Sequence, residues 1–193
     1  MPESEILRPV VAANRSRRRI RQLFAVFAGT LVLALSSYVT VPMFPVPMTL
    51  QTLAVVLVGA FYGWRLGGIT IAAWLLEGAL GLPVFAGGSG SALVFIGPTA
   101  GYLLSFPLIG ALAGWLVARG WNGAHPLRAF WAMMLAHTVC LLLGAAWLAT
   151  LVGVDDALLL GLVPFIPGEI VKSALAAATL ASWHAAKRVA GRE

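Results

Sequence analysis

Six long apolar stretches, separated by polar, glycine-rich or proline-rich segments, organise most of this chain. They cover about residues 22–41, 48–64, 66–82, 98–118, 128–151 and 164–186. An α-helix rises 1.5 Å per residue and the hydrocarbon core of a bilayer is about 30 Å thick, so the first, fourth, fifth and sixth stretches can cross it. The second and third are short, at about 17 residues each. They could form a buried hairpin, but Arg65 at the turn between them favours two spans.

Lys and Arg divide the connecting segments into two classes. Twelve of the thirteen lie in the N-terminal segment, at the Arg65 turn, in the 119–128 loop or in the C-terminal tail. The connections 42–47, 83–97 and 152–163 hold none. Because cytoplasmic loops carry the excess of Lys and Arg, six spans with both termini in the cytoplasm are predicted. We therefore expect a basic segment over 1–21, a transmembrane domain over 22–186 and a basic tail over 187–193.

The composition supports an all-α integral membrane protein. Sixty per cent of the residues are hydrophobic and only 10% are charged, against about 25% charged in soluble domains. The net charge of +6 could suggest a nucleic-acid partner, but the basic residues flank apolar spans without interleaved aromatic residues, so none is expected. The single cysteine, Cys140, excludes an internal disulfide. Neither a P-loop nor the common hydrolase motifs are present. We therefore expect that the protein is not an enzyme and uses no cofactor. If it transports a substrate, a partner protein would have to supply the energy.

Two ionisable residues, Glu169 and Lys172, stand inside the sixth stretch. Charged groups within a bilayer are costly and usually functional, and residues three apart share a helical face. Lys172 should lie roughly 12 Å below the outer boundary. The pair could merely neutralise itself. We expect instead that it binds a small ligand, with Lys172 supplying a cation and donors and Glu169 accepting N–H groups.

Three other features could contribute to such a site. Glu77, near the outer end of the third stretch, could contact the ligand, pair with Lys172 or be protonated. His137 shares a helical face with Cys140, but no further metal ligand has suitable spacing, so a hydrogen-bonded packing histidine is expected. The segments 41–48 and 81–90 are rich in proline or glycine yet apolar. We expect them to fold over the outer mouth as a lid, with plain interfacial packing as the alternative.

Small residues recur four positions apart in several stretches, as at Gly59/Gly63/Gly67 and Gly110/Gly114. Such spacing permits close helix approach. A similar stripe that begins at Ala25 and Gly29 in the first stretch could dock another membrane helix.

Three segments together resemble the BioY family, the biotin-binding S components of energy-coupling factor (ECF) transporters. They are 45–53, 81–88 with 97–102, and 164–172, and the resemblance covers about 22–186. It implies a six-helix S-component fold that binds biotin at the extracellular side. Glu169, where the family commonly has Asp, and Lys172 would belong to the site, with Gly87, Gly88 and Tyr102 close to biotin. Glu77 stands where the family usually has an apolar residue.

The resemblance also implies partners and a location. These are a transmembrane T subunit, two cytoplasmic ATPases and the bilayer of the bacterial cytoplasmic membrane, and the chain could also form homo-oligomers. Lys172 is expected to meet the biotin carboxylate and Glu169 a ureido N–H, although the reverse polarity is possible. The alternatives are an S component for another vitamin, a small intramembrane enzyme using Glu77, His137 and Glu169, and a structural membrane subunit without a ligand.

Overall fold

The computed structural model describes residues 3–191, and side chains from residue 17 onward. Parts of the predicted basic segment 1–21 and tail 187–193 therefore lie outside the described residues. The helices are α1 Glu3–Ser37, α2 Gln51–Ala79, α3 Ala100–Ala118, α4 Pro126–Val152, α5 Val154–Gly161 and α6 Ile166–Ala190. Two short strands, β1 Thr40–Val41 and β2 Met48–Thr49, pair antiparallel between α1 and α2. Three short 3₁₀ turns, Ala86–Gly88, Ala92–Ile96 and Val163–Phe165, complete the described elements.

Five helical stretches are long and apolar enough to cross a membrane. They are Arg17–Ser37, Gln51–Ala79, Ala100–Ala118, Pro126–Val152 and Val154–Ala190. The all-helical membrane architecture predicted from the sequence is thereby confirmed, apart from the small strand pair. The 152–163 segment, expected to be a connection, contains α5. Asp155 and Asp156 occupy its first turn, where negative charge is favourable next to the exposed N–H groups.

Helix α2 is a hairpin rather than one straight rod. Gly63 has φ +79° and ψ 164°, outside the helical region, and interrupts it. A Cβ built on Gly67 would lie 2.8 Å from the Cα of Gly59, whereas eight residues of straight helix span about 12 Å. The chain therefore reverses at Gly63 into two antiparallel arms, 51–62 and 64–79. They match the second and third apolar stretches.

The remaining glycines let neighbouring helices approach this hairpin closely. A Cβ on Gly110 of α3 would lie 2.1 Å from Ile71 Cδ1 and 3.4 Å from the Val55 carbonyl oxygen, so α3 contacts both arms. A Cβ on Gly29 of α1 would lie 2.5 Å from Thr70 Cγ2. The close approaches predicted for the glycine spacings are thus confirmed. The proposed docking stripe is wrong at Gly29, because that glycine is buried within the bundle.

Trp74 anchors the loop that joins the hairpin to α3. Its side chain is fully buried. The indole stacks on Phe106 at 6.1 Å between ring centroids and meets Phe85 edge-on at 5.2 Å. Its Nε1–H donates to the Val84 carbonyl oxygen at 3.2 Å. The apolar loop is therefore fixed to the end of the bundle by buried aromatic contacts.

Candidate ligand-binding site

A cavity of about 300 Å³ lies at the end of the bundle that the 38–50 and 80–99 loops cover. This volume is at the lower end of the range for ligand pockets, about 300–1,000 Å³. Its wall consists of Val46, Pro47, Thr49, Gln51, Thr52, Phe85, Ala86, Ser89, Val94, Gly97, Pro98, Thr99, Tyr102, Leu103, Phe106, Cys140, Leu141, Phe165, Glu169 and Lys172. The proline-rich segment 41–48 and the glycine-rich segment 81–90 both contribute residues to this wall, as segments that cover the bundle as a lid would do.

The Glu169–Lys172 pair forms the charged part of this wall. Pro167 stands at the start of α6, where its missing N–H costs no hydrogen bond, and Glu169 follows in the first turn. Glu169 and Lys172 are only 2% and 5% exposed. Lys172 Nζ donates to Glu169 Oε1 at 2.5 Å. The two side chains therefore share one face and are paired, which buried charges require.

Residues from β2 and from the start of α2 complete the coordination of the ammonium group. Lys172 Nζ donates to Thr52 Oγ1 at 2.7 Å and to the Thr49 carbonyl oxygen at 3.3 Å. An ammonium group has three N–H donors, so Glu169, Thr52 and Thr49 satisfy all of them. Gln51 is fixed beside them, because its Nε2 donates to Ser37 Oγ at 2.8 Å. The charged pair thus joins α6 to α2.

His137 of α4 stands behind the carboxylate and is fully buried. Its Nδ1 lies 2.7 Å from Ser173 Oγ, so the prediction of a hydrogen-bonded packing histidine is confirmed. Its Nε2 lies 3.4 Å from Glu169 Oε2. Neither of these facing atoms has a hydrogen-bond partner in the described part of the chain. If the Ser173 hydroxyl donates to Nδ1, the neutral ring carries its proton on Nε2 and directs it at Glu169.

Tyr102 also lines the cavity. Its hydroxyl donates to the Gly161 carbonyl oxygen at 2.5 Å. Its ring stacks on Phe165 at 6.2 Å between centroids. Tyr102 therefore ties α3 to the segment before α6 and presents an aromatic surface to the cavity.

Gly87 and Gly88 shape the cavity wall without lining it. They have φ +67° and +73°, a conformation that favours glycine, in the turn between Ala86 and Ser89. Ala86 and Ser89 do line the cavity.

Glu77, in contrast, is half-buried, lies outside the wall and forms no ion pair with Lys172 among the described residues. The structure brings Glu169, Lys172 and Tyr102 together and leaves Glu77 apart.

Sequence reasoning assigned no role to Thr49 or Thr52. Both follow Pro47 at the start of the second apolar stretch, in a run noted only for its family resemblance. The available signal was two hydroxyl residues at the same membrane end as Glu169. The assembled site can hold a small, mostly apolar ligand and offer it one cation and one anion. Among the described residues, no group of three His, Cys, Asp or Glu could hold a metal ion.

Comparison with known proteins gives consistent results. The model of the BioY family matches residues 10–189. A probable biotin transporter BioY from Pyrococcus horikoshii is 39% identical over 143 residues, which cover 74% of this chain and 83% of that protein. Biotin transporter BioY2 from Lactococcus lactis is 36% identical over 164 residues, which cover 81% and 86%.

One solved structure has a similar fold. It is the S-component for biotin from an ECF-type ABC transporter, with a TM-score of 0.77 and 22% sequence identity. The similarity covers 87% of this chain and 93% of the solved one. This chain therefore has the S-component fold.

Proposed function

This chain belongs to the BioY family of biotin transporters, and from that premise we propose that it captures biotin as the S component of an ECF transporter. The observation that carries the proposal is the buried Glu169–Lys172 pair in a largely apolar cavity. Biotin has a matching distribution of groups: an anionic carboxylate, a ureido ring with two N–H donors, and an apolar remainder. A ligand of this kind can use both charges of the pair.

The ligand must exchange with contacts that the protein already makes. All three donors of Lys172 are occupied, and the longest contact, 3.3 Å to the Thr49 carbonyl oxygen, is the weakest. We propose that the biotin carboxylate replaces that contact. A ureido N–H would then donate to Glu169, whose Oε2 lacks a hydrogen bond among the described residues. The turn at Gly87 and Gly88 and the ring of Tyr102 would enclose the apolar part.

The proposed topology has six crossings with both termini in the cytoplasm. It is supported by the reversal at Gly63, which divides one of the five apolar stretches into two antiparallel arms. At about 18 and 24 Å, the arms cross a core of about 30 Å only together with residues of the adjoining loops. The Gly63 turn, the 119–128 loop and both termini carry the basic residues, as cytoplasmic segments do. The domain organisation follows: a basic segment over 1–21, the binding domain over 22–186 and a tail over 187–193.

The proposed partners are a transmembrane T subunit and two cytoplasmic ATPases. The solved relative, the S-component for biotin from an ECF-type ABC transporter, supports such an assembly. The absence of a P-loop in the full sequence means that ATP hydrolysis would fall to those partners. Lys172 and Glu169 would then act in substrate capture only.

Equilibrium dialysis of the purified protein against radiolabelled biotin tests the proposal. We expect the native protein to retain biotin and Lys172→Met to bind at least about 100-fold more weakly, because it removes a partner from a buried charge pair. The control is Lys187→Met, since Lys187 is the only other lysine and is exposed. Retention of biotin by Lys172→Met at native affinity would refute the site. No retention by the native protein would refute the function.

Biotin methyl ester determines the polarity of the bound ligand, because it lacks the anion but keeps the ureido ring. If Lys172 meets the carboxylate, the native protein should prefer biotin to the ester and Lys172→Met should lose that preference. If the preference survives in Lys172→Met, the proposed polarity is incorrect.

A further inference from the structure

A second groove, of about 710 Å³, lies between α1 and the α2 hairpin at the end of the bundle away from the cavity. Three arginines line it: Arg18 and Arg19 from α1, and Arg65 from just after the Gly63 reversal. The rest of the wall is largely apolar and includes Leu23 and Ile69. Cationic groups thus converge from two elements that are more than forty residues apart in sequence.

No acidic group of the described side chains, 17–191, forms an ion pair with these three arginines. The acids in that range are Glu77, Asp155, Asp156 and Glu169, and all of them belong to the cavity end. The three guanidinium groups are exposed, and Arg65 also lies over the Trp64 ring at 4.7 Å. The groove therefore presents concentrated positive charge that the described part of the protein does not neutralise.

The apolar wall sets this groove apart from an ordinary basic surface. Leu23 is 69% exposed and Ile69 is 60% exposed, directly beside the arginines. A soluble anion would gain nothing from these side chains, whereas the acyl chains of a lipid would cover them. Basic pockets between transmembrane helices on the cytoplasmic side bind anionic lipid headgroups, and guanidinium groups bind phosphate through paired hydrogen bonds.

We propose that this groove binds an anionic phospholipid of the cytoplasmic leaflet. Arg18, Arg19 and Arg65 hold the phosphate-bearing headgroup, and the first part of an acyl chain lies along Leu23 and Ile69. The bound lipid would connect α1 to the hairpin turn at the membrane boundary. The inference depends on the proposed topology but not on biotin binding.

Native mass spectrometry of the full chain in detergent, titrated with dioleoylphosphatidylglycerol or dioleoylphosphatidylcholine, tests this proposal. We expect one phosphatidylglycerol to bind preferentially. In R18Q/R19Q/R65Q its affinity should fall at least about tenfold, because each basic residue near the membrane surface contributes to attraction for anionic lipid. The matched control R119Q/R128Q/R188Q removes the same charge from exposed positions outside the groove, and it should keep the affinity.

Several results would overturn the lipid site. These are equal binding of the two lipids, an equal loss in both triple variants, or full displacement of phosphatidylglycerol by soluble glycerol phosphate. The helical circular-dichroism signal of each variant reports whether it is folded, and R65Q alone serves if the triple variant is not. A native protein that binds phosphatidylglycerol but no biotin would refute the proposed function and leave the lipid site intact.

Discussion

Removal of one charge from the Glu169–Lys172 pair should destabilise the protein far more than removal of both. The two side chains are 2% and 5% exposed, so water screens their interaction little. In Lys172→Met the carboxylate loses its partner at 2.5 Å and keeps the Thr52 hydroxyl and His137 Nε2, each at 3.4 Å. Breaking a buried pair on one side costs about 3–5 kcal/mol. We expect the free energy of unfolding to fall by that amount.

The partner substitution Glu169→Gln should cost less than Lys172→Met. The ammonium group would still donate to Thr52 Oγ1 at 2.7 Å and to the Thr49 carbonyl oxygen. In the double variant no buried charge remains, and replacement of a whole buried pair is often close to neutral. We therefore expect the double variant to lie within about 1 kcal/mol of the native protein.

Unfolding in mixed micelles by titration with dodecyl sulfate, followed by circular dichroism, measures the four free energies of this cycle. Lys187→Met and Glu77→Gln serve as controls, because Lys187 is exposed and Glu77 makes no ion pair in the described residues; each should cost no more than about 0.5 kcal/mol. A double variant as unstable as the sum of the two single variants would show that Glu169 and Lys172 are not coupled.

Two further substitutions test the surroundings of the pair and the packing of the hairpin. The side chain in His137→Gln can still direct an amide N–H at Glu169, whereas the side chain in His137→Asn is too short. Equilibrium dialysis should therefore show biotin affinity about tenfold weaker in the asparagine variant only. Equal effects of the two substitutions would mean that His137 merely packs. Gly59→Ala would place its Cβ 2.0 Å from the Gly110 backbone carbonyl oxygen and should lower the free energy of unfolding by about 1–3 kcal/mol in the same titration. Gly68→Ala, whose Cβ would meet nothing closer than 3.7 Å, is its control, and a comparable cost there would contradict the packing argument.

The helices were predictable because apolar runs bounded by charge, glycine or proline are a local signal. Even the reversal at Gly63 was indicated by Arg65, which placed a charged turn between two short stretches. The errors arose where tertiary contacts changed a local pattern. The stripe of small residues on α1 suggested a docking surface for a partner helix, but at Gly29 it packs against Thr70 of the hairpin.

The site was predictable in its charged pair, because residues three apart on a helix must share a face whatever else the chain does. Thr52 lies 117 residues before Glu169, and nothing local indicates that the start of α2 meets the start of α6. His137 posed the same difficulty, since its orientation is known only once α4 is packed against α6. Glu77 is the opposite case: an acid in an apolar run suggested burial at the site, yet Glu77 is half-buried at the base of a loop, and its contact with a ligand stays a prediction.

These cases indicate what a buried charge can predict. The cost of burying Glu169 and Lys172 shows that polar partners must exist, but it does not show where they lie in the sequence. The search is nevertheless narrow, because partners must come from the few polar residues at the same membrane depth in other apolar stretches. Thr52 and His137 both belong to that small set. Thr70 does not, because it lies only about 10 Å along its arm from the Gly63 reversal, at the other end of the bundle. In a membrane protein, the depth of each polar residue is therefore a stronger guide to site partners than its distance along the chain.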